Sequence, residues 1–149
     1  AGLKSFFDRI DHEWLLKFLQ HRIADQRLLR LIKKWLNTGV LKGEQRKRSD
    51  VGIPQGAPVS PLLANVYLHY VFDLWIIDQW RKKRAKQAVI VVRFADDFIV
   101  GFKSQWEAQS FKRSLEKRLG KFGQRVNESK TSLIRFGRFA REVSTHCRP

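Results

Sequence analysis

Methionine is absent from these 149 residues, cysteine occurs once, and proline occurs four times. No apolar run comes near the ~20 residues that a membrane-spanning helix needs. A lone Cys147 excludes an intrachain disulfide, so nothing argues for an oxidising compartment, and a cytoplasmic, bacterial-type setting is expected. No charged start followed by an apolar stretch marks a signal peptide. Acidic residues are scarce as well: 14 Asp plus Glu face 30 Lys plus Arg, a formal net charge of +16. That excess goes beyond solubility and points to a polyanionic partner, nucleic acid before an anionic membrane surface. With no methionine and Ala1 in first place, the chain is expected to be part of a longer protein. What is abundant is apolar: 43% of residues are hydrophobic, with 11 Phe and 5 Trp. This excludes general disorder and allows one domain with a core.

Helical spacing is clear in four places. Asp11 can cap a helix to about Arg22, with Trp14, Leu15, Phe18 and Leu19 on one face. A second helix is expected from Asp25 to Asn37, with Leu28, Leu29, Ile32, Trp35 and Leu36 inward and Gly39 as its stop. Ser60 as N-cap and Pro61 at the first helical position open a third, running to about Trp80 with Leu62, Leu63, Val66, Tyr67, Tyr70 and Leu74 as its stripe. Ser104 and Glu107 have capping-box spacing and begin a fourth, with Phe111, Leu115 and Leu119 inward. Residues 40–50 form a basic hairpin or loop containing Arg46, Lys47 and Arg48. Arg81, Lys82, Lys83 and Arg84 fall in a second basic stretch, read either as a solvated connector or as a phosphate contact. Thr131 to Phe136 reads as a last strand, and residues 141–149 as an irregular tail. The mixture is α+β with a mainly antiparallel sheet.

Two segments carry chemistry. Val89 to Phe94 and Phe98 to Phe102 are β-branched and aromatic runs flanking Ala95-Asp96-Asp97. This reads as strand, tight turn, strand, with two carboxylates at the turn. Adjacent anions repel at the lip of a core, and a divalent cation relieves that repulsion. The second segment is Gly52-Ile53-Pro54-Gln55-Gly56-Ala57-Pro58, an irregular loop feeding a helix N-terminus. Such a loop can bring backbone against a flat ligand, and the helix end favours phosphate.

Taken together, Gly-Ile-Pro-Gln-Gly, Ser-Pro-Leu-Leu-Ala-Asn at 60–65, and Phe-Ala-Asp-Asp at 94–97 resemble the reverse transcriptases. The nearest resemblance is to the bacterial group II intron reverse transcriptase/maturase family. Phe6 to His12 is similar to the segment after that family's first catalytic Asp, and Asn127-Glu128-Ser129-Lys130-Thr131 to its Asn-x-x-Lys-Thr motif. Four stretches in order cover residues 1–140. The resemblance implies a polymerase palm, a small antiparallel sheet backed by helices, and nucleotidyl transfer by two Mg²⁺ ions, with Mn²⁺ as a substitute.

By the same resemblance, Asp96 is the main metal ligand and Asp97 assists. Lys130 approaches the triphosphate. Pro54, Gln55 and Gly56 lie against nucleotide or template, and Phe7 crowds the sugar 2′ carbon. Expected partners are RNA template, DNA primer, deoxynucleoside triphosphates and intron RNA, with no membrane; an uncovered palm surface is expected to self-associate. One position departs from the pattern. The family's first metal-binding Asp stands six residues before the Asp of Phe-Phe-Asp, and here that position is Gly2. The family's fingers and thumb regions are also absent from these residues. The chain alone is therefore expected to have little or no polymerase activity, and a catalytically silent basic RNA-binding module is the alternative.

Overall fold

In the computed structural model, the described residues are 1–37, 41–42, 45–46, 50–82 and 89–137, with backbone only at 41–42, 45–46 and 81. Helix α1 (His12–Gln20) begins where Asp11 accepts a hydrogen bond from the Trp14 amide at 3.0 Å. Leu15, Phe18 and Leu19 face the core. Helix α2 (Gln26–Asn37) buries Leu29 and Leu36 against α1, whereas Leu28, placed inward by its spacing, is 43% exposed. A short antiparallel pair follows, β1 (Leu41–Lys42) with β2 (Gln45–Arg46).

Helix α3 (Ser60–Leu68) packs on α1. Ser60 is not its cap. The Ser60 amide donates to the Ala57 carbonyl at 3.1 Å, so backbone rather than a hydroxyl starts the helix, and the Ser60 hydroxyl is buried without a partner among the described residues. Leu62 is 64% exposed, because α1 covers only one side of this helix. Beyond Leu68 the helix widens to π-helical turns over His69–Asp73 and Ile76–Arg81. Widening displaces backbone acceptors. The Arg118 guanidinium takes two of them, the Val71 carbonyl at 3.1 Å and the Tyr70 carbonyl at 3.3 Å.

The hairpin of β3 (Ile90–Phe94) and β4 (Asp97–Gly101) is antiparallel, pairing Phe94 with Asp97 at its tip and Ile90 with Gly101 at its base. Phe98 is buried and packs on Phe72 at 4.7 Å between ring centroids. Helix α4 (Gln105–Gly120) starts where the Ser104 hydroxyl accepts from the Glu107 amide, and it buries Phe111, Leu115 and Leu119. The fold is α+β.

Residues 131–136 are not a strand. Strand propensity needs a pairing edge, and the N-terminal segment pairs earlier, Leu3 with Val126. Leu133, Ile134 and Phe136 stand exposed instead. Residues 141–149, including Cys147, lie outside the described residues.

At the centre sits Tyr67, fully buried among Phe6, Phe18 and Phe122. Its hydroxyl donates to the Phe122 carbonyl at 3.3 Å, and burial pushes its pKa up to about 12.

Candidate active site

The β3–β4 loop is Ala95-Asp96, and Ala95 has φ of +52°, a left-handed conformation that costs an alanine on the order of 1 kcal/mol. Arg93 holds this turn. Its guanidinium grips Asp73 with two bonds of 2.7 Å, donates to the Asn65 side-chain carbonyl at 3.0 Å, and donates to the Ala95 carbonyl at 2.8 Å. The side chain is only 14% exposed, and its two bonds to Asp73 are partly buried. Asn65 belongs to the Ser-Pro-Leu-Leu-Ala-Asn segment, and Asp73 to the π-helical turn. Arg93 thus bonds α3 and its extension to the loop that carries the acids. The sequence signal for this clamp is a charged residue inside an otherwise apolar strand.

Residues 1–4 continue the sheet beyond β4. Gly2 bridges Asp97, and the Phe98 amide donates to the Ala1 carbonyl at 2.8 Å. On the other side the Asn127 amide donates to the Gly2 carbonyl at 2.8 Å, and the Lys4 amide to the Arg125 carbonyl at 2.9 Å. A Cβ built on Gly2 would meet Asp97 Oδ1 at 2.5 Å and the Asp96 carbonyl at 3.7 Å. Position 2 therefore lies directly against the acidic turn.

The same N-terminal segment reaches the glycine-rich loop. The Ile53 amide donates to the Phe7 carbonyl at 2.9 Å, and the Gly52 amide to the Ile10 carbonyl at 2.8 Å. The His12 imidazole hydrogen-bonds the Gly52 carbonyl. Gly52 has φ of +92°, and a Cβ there would lie 3.2 Å from the Asp8 carbonyl, so glycine is required by both backbone angle and space. Gln55 and Gly56 are exposed and Pro54 is half-buried. Phe7 is half-buried with its ring edge-on to Phe6, which is the core member of the pair.

Lys130 is exposed on the short turn Glu128–Lys130, tethered through Asn127 to Gly2. Asp8 is exposed, and Asp11 is engaged as the α1 cap. Lys82 forms an ion pair with Asp78 at 3.0 Å. Lys47, Arg48, Lys83 and Arg84, and the side chains of Arg46 and Arg81, lie outside the described residues.

Asp96 is half-buried and Asp97 exposed. Among the described residues no group of three His, Cys, Asp or Glu is arranged to hold a metal. Two carboxylates at an open turn nevertheless fit Mg²⁺, which takes one or two carboxylates and completes its shell with water and phosphate oxygens. Among the described residues no helix is long and apolar enough to cross a membrane.

Comparison with known proteins agrees with this arrangement. The family model for reverse transcriptase (RNA-dependent DNA polymerase) matches residues 2–145. The chain is 30% identical over 135 residues to protein YkfC of Escherichia coli, a match covering 72% of this chain and 35% of that protein. It is 43% identical over 69 residues to the group II intron-encoded protein LtrA of Lactococcus lactis, covering 46% of this chain and 12% of that one. It is 49% identical over 69 residues to an uncharacterized 91 kDa protein in the cob intron of Schizosaccharomyces pombe, covering 46% and 9%. The chain thus spans about a third or less of the length of these relatives. Reverse transcriptases generally use divalent metal ions. With that family model matched over nearly its whole length, this chain belongs to the reverse transcriptase family, as a region of the group II intron reverse transcriptase/maturase type.

Proposed function

We propose that residues 1–140 are the palm of an RNA-directed DNA polymerase, with Asp96 and Asp97 as its metal-binding carboxylates. The observation that carries this is convergence. One N-terminal segment bonds the acidic turn at Gly2, the Asn127 turn at the same residue, and the glycine-rich loop at Phe7 and Ile10. Four segments far apart in sequence are thereby bonded to one another.

In this reading Mg²⁺, or Mn²⁺ in its place, supplies Lewis-acid stabilisation of the phosphate charge in a nucleotidyl transfer. Arg93 keeps the turn oriented so that neighbouring carboxylates, which a straight strand would send to opposite faces, serve one site. Pro54, Gln55 and Gly56 form the wall for nucleotide and template, and Phe7 presents its ring where a ribose 2′-hydroxyl would collide. Lys130 places a cation, and a proton, beside the triphosphate. Template RNA, primer DNA and intron RNA are the partners. The outward face of the hairpin (Ile90, Val92, Phe94 and Ile99) is exposed and apolar, Phe94 at 84%, which supports self-association when nothing covers it.

A second reading, a catalytically silent RNA-binding palm, is favoured by Gly2, which offers no carboxylate beside Asp97. One titration separates the two. Mn²⁺ binding to the whole chain, read by electron paramagnetic resonance with nucleotide present, is expected to weaken at least tenfold in D96N and in D97N. Gly2→Asp is expected to tighten it on the order of tenfold, about 1.4 kcal/mol, because the added carboxylate lands beside Asp97, whose side chain can rotate aside. If all four proteins bind Mn²⁺ alike, the acidic turn is not a metal site and the silent module is correct.

A further inference from the structure

One lysine on each of three helical segments is paired with an acid close by. Lys17 meets Glu13 at 3.2 Å on α1, Lys82 meets Asp78 at 3.0 Å after α3, and Lys112 on α4 meets Glu128 at 3.2 Å and Glu116 at 3.8 Å. Helix α2 is different. It carries Arg27, Arg30, Lys33 and Lys34, all exposed, and no acidic residue. None of the four has an ion pair among the described residues. The nearest acid, Asp25, is occupied at the helix start by the Arg27 backbone amide at 2.8 Å.

At 3.6 residues per turn, Arg27, Arg30 and Lys34 fall within an arc of about 60°, and Lys33 lies about 60° further round the helix. Leu29 and Leu36 point the other way, into the core. Spacings of three and four residues put like charges side by side, an arrangement that destabilises an isolated helix. Arg27 also stands in the first turn, where the helix dipole disfavours cations. Internally, Arg30 reaches only the Gln26 carbonyl and Lys34 gains from its place in the last turn; among the described residues no acid offsets the like charges, so their counter-charge lies in an external anion.

We infer that the outward face of α2 is a docking strip for the phosphate backbone of RNA, separate from the acidic turn. The strip is about 10 Å long, enough to face about three phosphates of one strand. A bilayer is the poorer fit. An interfacial helix buries its apolar face in lipid, and here that face is spent on α1, leaving Leu28 and Leu31 as the outward leucines. The choice of RNA among polyanions rests on the proposed function; the strip itself does not.

The test is fluorescence anisotropy of the whole chain with a labelled RNA hairpin from 50 to 300 mM KCl. R30Q/K34Q is compared with K17Q/K112Q, which removes the same charge from paired lysines. The α2 variant is expected to bind about tenfold more weakly at 100 mM salt, with a salt slope shallower by about 1–2, while the control changes less than threefold. Circular dichroism melting is expected to leave both variants folded. Equal loss in the two variants would reduce the effect to bulk charge and overturn the strip, as would no loss in R30Q/K34Q. Binding to phosphatidylserine vesicles that depends on Arg30 and Lys34, with RNA binding unchanged, would overturn it in favour of a membrane. Mn²⁺ titration is read separately, so its failure would remove the polymerase reading while leaving the strip in place.

Discussion

The acidic turn and the basic face of α2 are both charged and open to solvent, yet the protein treats them oppositely. At the turn every neighbour is fixed: Arg93 bonds the Ala95 carbonyl, Asp73 and Asn65 hold Arg93, and Gly2 pairs with Asp97. On α2 the cations project from a regular helix, and among the described residues their one side-chain contact is that of Arg30 to the Gln26 carbonyl at 3.3 Å. The difference teaches what each region is for. Groups that must act on one bond need angstrom placement, and the surrounding shell supplies it. Groups that attract a polyanion need charge density and tolerate loose side chains.

The contrast breaks first at Phe98. Buried beneath the turn against Phe72, it is expected to cost about 3–4 kcal/mol when replaced by alanine, measured by urea denaturation. Arg93 comes next. Arg93→Leu leaves Asp73 beside His69 without its guanidinium, a loss of about 3 kcal/mol. Arg93→Lys keeps the charge but not the fork, so about 1–2 kcal/mol is expected. If Arg93→Lys melts like the parent, the turn is no better held than α2 and the comparison fails.

How much of this was legible in the sequence depended on distance along the chain. Asp11 and Ser104 as caps, the faces of α1 and α4, and the hairpin around Asp96 and Asp97 follow from patterns within a few residues. The strand expected at 131–136 failed because propensity is local and pairing is not; Val126 is the residue that meets Leu3. Likewise the place of Gly2 against Asp97 joins positions 95 residues apart, and no local pattern encodes it. The resemblance marked position 2 as the departure, and the fold shows what that position touches. The partners of Arg93 are not legible either, because alternation in a strand assigns a residue to a face without naming what it meets.

Tyr67 lies at the joint between α1 and the N-terminal segment, touching Phe18 of the one and Phe6 of the other. Burial raises its folded pKa to about 12. The unfolded chain ionises this group above about pH 10, while the folded chain keeps the proton to about pH 12. The unfolded state therefore binds fewer protons in that window, and stability falls as pH rises from 10 to 12, by on the order of 2–3 kcal/mol, with no slope from this group below pH 10. The difference in urea midpoint between the parent and Tyr67→Phe is expected to shrink across that window. A constant difference from pH 8 to 12 would mean that the joint is open to solvent.

The smallest effect tests the other side of the contrast. Arg30 has like-charged neighbours at Arg27, Lys33 and Lys34, each three or four residues away. Arg30→Gln removes all three repulsions at little cost in helix propensity, so the variant is expected to be more stable by a few tenths of a kcal/mol in 20 mM salt. Raising the salt to 0.5 M shortens the screening length to a few ångströms, and the gain should vanish. A charged side chain that stabilises its own fold loses stability on removal; one kept for an external anion does the reverse. If Arg30→Gln is destabilising at low salt, the cations of α2 serve the helix after all.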